Sequence, residues 1–139
     1  MASNEKVRVK GLVWTESVLM RLIPALRRRL HGARAARWVN RQKWPFSVAA
    51  VVGKVANGDW AHCQDDLVTF PPRPIPFLIV LHELAHARLA RSRATHHGPR
   101  FLAAYRDLIL RELELAPLDR AIVKRCFAAC AARKLRKRR

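Results

Sequence analysis

The residues with the clearest chemical meaning are His82, Glu83 and His86, which stand as His-Glu-Leu-Ala-His in an apolar part of the chain. On a helix, residues four apart lie one turn apart on the same face, so the imidazoles of His82 and His86 can reach one ion. Glu83 lies about 100° round the helix axis from His82 and addresses the position beside that ion. Two imidazoles and a carboxylate at this spacing point to Zn2+, a water-derived nucleophile and a general base. The surroundings agree with a helix. Apolar residues run from Phe77 through Leu81, Leu84, Ala85 and Leu89, and Pro76 suits a first helical position. An ionisable trio in so apolar a helix is costly unless it is paired or metal-bound.

A catalytic zinc takes a third protein ligand and keeps one position open. The metzincin pattern requires glycine at position 89 and histidine at position 92, where this chain has Leu89 and Ser92. Glu112 and Glu114 offer carboxylates, but further along than a thermolysin-like arrangement prefers. His96 and His97 lie in a loop just before a helix opening at Pro99, where a short return brings an imidazole back towards the motif.

His82-Glu83-Leu84-Ala85-His86 followed by His97-Gly98-Pro99-Arg100-Phe101 resembles the core of the SprT-like metalloproteases, which include the Spartan proteases. The resemblance covers roughly residues 48–113 and implies a zincin-like fold. It implies zinc held by His82, His86 and His97, with His97 ahead of His96 as third ligand. It also implies Glu83 as the general base of a metallopeptidase active in DNA-protein crosslink repair. The C-terminal zinc ribbon of many SprT proteins and the partner-binding motifs of Spartan have no counterpart, so the resemblance speaks to the metal site more than to recruitment.

The elements that must position these residues are legible in outline. Val7, Val9, Leu12 and Val13 predict a short leading strand. From Thr15, a candidate N-cap, Val18, Leu19, Leu22, Ile23, Leu26 and Leu30 recur at helical spacing, with a break expected at Pro24 and a further helical piece over residues 33–39. Val48, Val51, Val52 and Val55, the Asn57-Gly58 turn, a return strand near Trp60 and a second turn at Gln64-Asp65-Asp66 predict a small antiparallel meander that the prolines of 71–76 end. Pro99 opens a helix with Phe101, Leu102, Tyr105, Leu108, Ile109 and Leu113 on its apolar stripe. A last helix carries Leu118, Ile122, Val123, Phe127 and Cys130. The expected architecture is one α+β domain over residues 1–132, a meander packed against helices, followed by a basic tail at 133–139.

Composition narrows the partners. In 139 residues, 28 Lys+Arg oppose 10 Asp+Glu, a formal net charge of +18. Such a surface seeks a polyanion. The clusters expected to contact nucleic acid, DNA above all, are Arg27, Arg28 and Arg29 with Arg133, Lys134, Arg136, Lys137, Arg138 and Arg139. No stretch approaches the ~20 apolar residues of a membrane span, so no membrane partner is expected. Three cysteines, Cys63, Cys126 and Cys130, make no disulfide framework, and the first residues lack a secretory signal, so the expected setting is intracellular, cytoplasmic or DNA-associated. Residues 17–37 are basic and amphipathic like a transit peptide, but Glu5 and Glu16 argue against one. Cys126 and Cys130 read as packing residues, as do Tyr105, Trp38 and Trp44; on the strand expected near the cleft, His62 reads as a surface residue and Trp60 as a candidate substrate contact.

The leading functional expectation is a zinc peptidase acting on a protein substrate at or near DNA. Two alternatives stand beside it: a nucleic-acid-binding protein with structural or no zinc, and a zinc hydrolase of a non-protein substrate, since the motif specifies metal and base better than the bond cleaved.

Overall fold

The computed structural model describes residues 11–56, 59–90 and 97–138, with side chains as far as Arg133. The chain runs as helix α1 (Leu12–Leu22), the single turn α2 (Pro24–Arg27), strand β1 (Arg29–His31) and helix α3 (Gly32–Arg41). Strands β2 (Ala49–Val52), β3 (His62–Gln64), β4 (Leu67–Phe70) and β5 (Pro74–Pro76) follow. Helices α4 (Phe77–Arg88), α5 (Pro99–Glu112) and α6 (Pro117–Arg138) complete a small α+β domain.

The N-terminal reading needs correction. Val7 and Val9 lie outside the described residues, and Leu12 and Val13 open α1 rather than forming a strand. The buried residues Leu12, Thr15, Glu16 and Leu19 recur at three- and four-residue steps, which fits one helix face and not the two-residue period of a strand. Thr15 is no N-cap. It sits one turn inside the helix, 1% exposed, and its hydroxyl donates to the Gly11 carbonyl at 2.9 Å, the local acceptor a buried hydroxyl needs. The break expected at Pro24 is present: α1 ends at Leu22, and Pro24 opens α2, where its missing N–H costs nothing. Leu30 has left the helix and pairs with Ile75 in β1.

The middle section is not an antiparallel meander. Its order is β2-β4-β3, with β2 parallel to β4 and β3 antiparallel to it. Burial explains the order. Val68 and Phe70 of β4 are fully buried, so the most apolar strand takes the centre, whereas His-Cys-Gln of β3 suits an edge. The Asn57-Gly58 turn lies outside the described residues. The second turn is where it was expected, with Asp65 at φ 55°, a left-handed conformation Asp tolerates better than most residues. The proline-rich stretch, read as an ending, holds strand β5, which pairs antiparallel with β1 as a separate ribbon.

The end of β4 and the segment that follows it meet the start of α3 so closely that Gly32 has no room for a side chain. A Cβ there would sit 1.9 Å from the Pro71 carbonyl oxygen, a backbone atom that cannot swing aside. Gly32→Ala is expected to lower stability by about 1–3 kcal/mol, the usual cost of overpacking, measurable by denaturant unfolding. An unchanged midpoint would show that the backbone at Pro71 yields freely.

Helix α4 lies at the centre, packed against α5, α2 and strands β3, β4 and β5. Leu78, Val80, Leu81, Leu84 and Ala85 are fully buried, so this helix is apolar nearly all round. Pro76 is its N-cap, one residue outside the expected position. Helix α6 closes the fold with Val123, Phe127 and Cys130 buried, while Leu118, expected on that face, is 72% exposed at the first turn. The backbone helix continues into the basic segment as far as Arg138.

Candidate metal centre

Helix α4 is enclosed except along the line that carries His82 and His86, both half-buried. Their ring centroids lie 5.0 Å apart, as one helical turn dictates. His97, exposed and two residues ahead of α5, returns to this line: its Nε2 is 3.0 Å from His86 Nε2, and its ring lies 5.0 Å from that of His82. One ligand atom from each of the three lies within 4.8 Å of the others. Imidazole nitrogens bound tetrahedrally to one ion at about 2.0–2.1 Å stand about 3.3 Å apart, close to the 3.0 Å between His86 and His97, so the three could hold a metal ion. Among the described residues no other group of three His, Cys, Asp or Glu converges in this way. His96 lies outside the described residues, and Glu112 and Glu114 do not join the cluster.

The packing of α5 on α4 builds the floor. Phe101, 1% exposed, lies with its ring centroid 4.4 Å from His86, 4.7 Å from His97 and 5.1 Å from His82. One aromatic ring thus restricts three imidazoles, which is what the Phe of the His-Gly-Pro-Arg-Phe segment does here. Behind it, Tyr105 packs on Phe101 at 5.5 Å and on Phe127 of α6 at 5.2 Å, in keeping with its expected packing role.

Sequence reasoning missed Glu16. Its carboxylate, on α1, is 6% exposed and accepts hydrogen bonds from His82 Nδ1 at 2.8 Å and from the Tyr105 hydroxyl at 2.6 Å. With Nδ1 engaged, His82 presents Nε2 to the cluster, the arrangement by which carboxylates fix the tautomer of metal-binding histidines. Glu16 is separated from His82 by 66 positions, and only its placement on the buried stripe of α1 signalled that it faces inward.

Burial and charge tune these groups differently. Burial pulls the His82 imidazole down, but the hydrogen bond and charge of Glu16, with Glu83, outweigh it and leave it above its ordinary value. His86 is pushed down to about 3 by burial and by its two histidine neighbours, so it is neutral at physiological pH with a lone pair available. Glu83, 8% exposed, is held above the ordinary carboxyl range by burial, against the opposing charges of His82 and His62. The Tyr105 phenol is raised well above its ordinary value by burial and by Glu16, so it stays a donor.

The remaining candidates separate from the site. Cys63 is pushed up to about 12, chiefly by burial and then by Glu83, and donates to the Asp65 carbonyl at 3.3 Å, which describes an unreactive thiol. Cys130 is buried in the core and Cys126 packs against it, as expected of packing residues. Trp38 packs edge-on against Trp44 and Phe77, and Trp44 Nε1 donates to the Val39 carbonyl at 2.9 Å, so both serve as anchors. Arg27, Arg28 and Arg29 are exposed. Arg133 lies 4.9 Å over Trp14 of α1; the side chains of Lys134, Arg136, Lys137 and Arg138, and Arg139 altogether, lie outside the described residues.

No protein-family model, curated protein or solved structure matches the chain. The centre is therefore defined by its own geometry: two imidazoles from α4 and one from the segment just before α5, with the buried Glu83 carboxylate next to His82 on α4 and the Glu16 carboxylate behind the His82 ring. No helix among the described residues is long and apolar enough to cross a membrane.

Proposed function

We propose that this protein is a zinc-dependent peptidase of SprT-like, zincin type, acting on proteins bound or crosslinked to DNA. The observation that carries this reading is the grouping of His82, His86 and His97, one ligand atom of each within 4.8 Å of the others, with the buried Glu83 next to His82 on α4. When bound, zinc lowers the pKa of a coordinated water towards about 7 and polarises the scissile carbonyl. Glu83 accepts the proton of the attacking water and passes it to the leaving amine. A carboxyl raised by burial is suited to this exchange near neutral pH. Strand β3 supports the handling of an extended substrate. It is an edge strand packed on α4, and beyond its ladder with β4 its main chain makes no further backbone hydrogen bond among the described residues, so a peptide can pair along it.

The proposal is tested with a DNA-bound protein as substrate, incubated with the zinc-loaded protein in the presence and absence of DNA and of a chelator. Cleavage that DNA stimulates and chelation abolishes is the expected result. The charge favours a second reading, a nucleic-acid-binding protein with a structural zinc. Among the described residues one Arg–carboxylate pair forms, Arg106 with Asp107 at 3.4 Å, which leaves the basic surface largely unneutralised. Stoichiometric zinc and DNA binding without cleavage would select it.

The role of Glu16 gives a separate expectation. Outer carboxylates that orient a ligating histidine change metal affinity by about 10–100-fold, and Glu16→Ala is expected to weaken zinc binding by that amount in a chelator competition. Glu16→Gln, which can still accept from Nδ1, should lose less. Equal affinity in all three proteins would remove Glu16 from the metal centre.

A further inference from the structure

Trp60, just ahead of β3, is a large aromatic ring left 41% exposed. Two guanidinium groups attend it: that of Arg29 lies 5.5 Å from the ring centroid and that of Arg73 lies 5.8 Å away. The β1–β5 ribbon brings the two arginines to one place, since Arg29 pairs with Pro76 and the Gly32 N–H donates to the Arg73 carbonyl at 3.1 Å. Arg73 also donates through Nη2 to the Asp59 carbonyl at 2.6 Å, which ties the Trp60 segment to the ribbon. Both arginines are exposed, and neither has a carboxylate partner among the described residues.

The hydrogen bond to the Asp59 carbonyl places Arg73 but cancels no charge, so two cations without a carboxylate partner among the described residues stand beside one solvent-facing indole. An anion between the arginines relieves their repulsion, and a flat partner on the ring recovers its exposed area. A ligand carrying both a phosphate and an aromatic face satisfies the whole arrangement. In a duplex the faces of the bases are already stacked on one another, whereas an unpaired nucleotide offers one. An acidic peptide would use the arginines and leave the ring without a partner.

We infer that Arg29, Trp60 and Arg73 form a platform for single-stranded nucleic acid, one base stacking on Trp60 and the flanking phosphates held by the two guanidinium groups. The platform adjoins the metal centre, because β3, which starts two residues after Trp60, packs on α4. It rests on, and deepens, the DNA side of the proposed function: a protein attached to an unpaired strand would be carried past β3 towards Glu83.

The test is a fluorescence-anisotropy titration of the full chain against labelled oligothymidylate and oligouridylate of about 20 nucleotides, and against a duplex of the same length. The two single strands share the recognised chemistry, and their relative affinities tell DNA from RNA as its source. Base–aromatic stacking is worth about 1–3 kcal/mol per base, so Trp60→Ala should weaken single-strand binding by at least about fivefold while duplex binding changes less than twofold. Trp60→Phe, which keeps a π-face, should restore most of the loss. Arg29→Gln with Arg73→Gln should flatten the salt dependence by up to about 1.4 in log-log slope, two phosphates at ~0.7 each on a single strand; Arg111→Gln, on α5, is the control and should not.

Single-strand binding by Trp60→Ala within twofold of wild type, with circular dichroism and zinc content unchanged, would overturn the platform. So would equal losses on single strand and duplex. The outcome is separable from the peptidase reading. A stacking loss in a protein that cleaves nothing leaves the platform standing, whereas DNA-stimulated cleavage by a Trp60→Ala protein that binds like wild type leaves only the peptidase.

Discussion

Purified protein is expected to carry one zinc ion per chain and to lose it when His82, His86 or His97 is replaced by alanine. Three neutral imidazoles are the fewest donors of an open zinc site, and removing one leaves two, too few to hold the ion against a competing chelator. At neutral pH His86 already presents a neutral imidazole. Because burial and its neighbours hold it down to about 3, metal binding there displaces no proton. His82→Ala carries an added penalty, since it leaves the buried Glu16 carboxylate with Tyr105 as its remaining hydrogen-bond donor. His96→Ala is expected to retain zinc. The measurement is elemental analysis after dialysis against a chromophoric chelator. Full occupancy in a His82→Ala, His86→Ala double variant would end the metal assignment, and zinc lost from His96→Ala but kept by His97→Ala would transfer the third position to His96.

Glu83→Gln is expected to keep zinc and fold while peptidase activity falls by at least about 10²–10⁴-fold, the range ascribed to a positioned general base. The amide preserves shape in a pocket where the side chain is 8% exposed, but it cannot take up the water proton. The paired measurement is cleavage rate alongside zinc content and thermal midpoint. Activity within tenfold of wild type would move the base elsewhere. A loss of zinc would instead assign Glu83 to holding the metal.

The chain by itself determined the parts of this architecture that depend on near neighbours. The four-residue spacing of His82 and His86, the break at Pro24, the turn at Asp65 and the helix opening at Pro99 follow from local backbone geometry and side-chain periodicity, and the structure has each in its expected place. The approach of His97 to the motif, with ten residues between it and His86, was expected from the resemblance carried by His97-Gly98-Pro99-Arg100-Phe101, which favoured it over His96. What tertiary structure decided concerns residues far apart. Strand order was one such case: β2 pairs with β4 because burial ranks the strands, whereas turn chemistry near Asn57-Gly58 favoured the adjacent hairpin. The ribbon of β1 and β5 was hidden by prolines that make an edge strand read as a terminator. Glu16 was the other case, a carboxylate in an amphipathic helix whose meaning depends on an imidazole 66 positions away. Local preferences act over a turn or two of chain, while the partner of a buried charge is chosen by how whole elements pack, and that choice leaves no mark on the residues beside it.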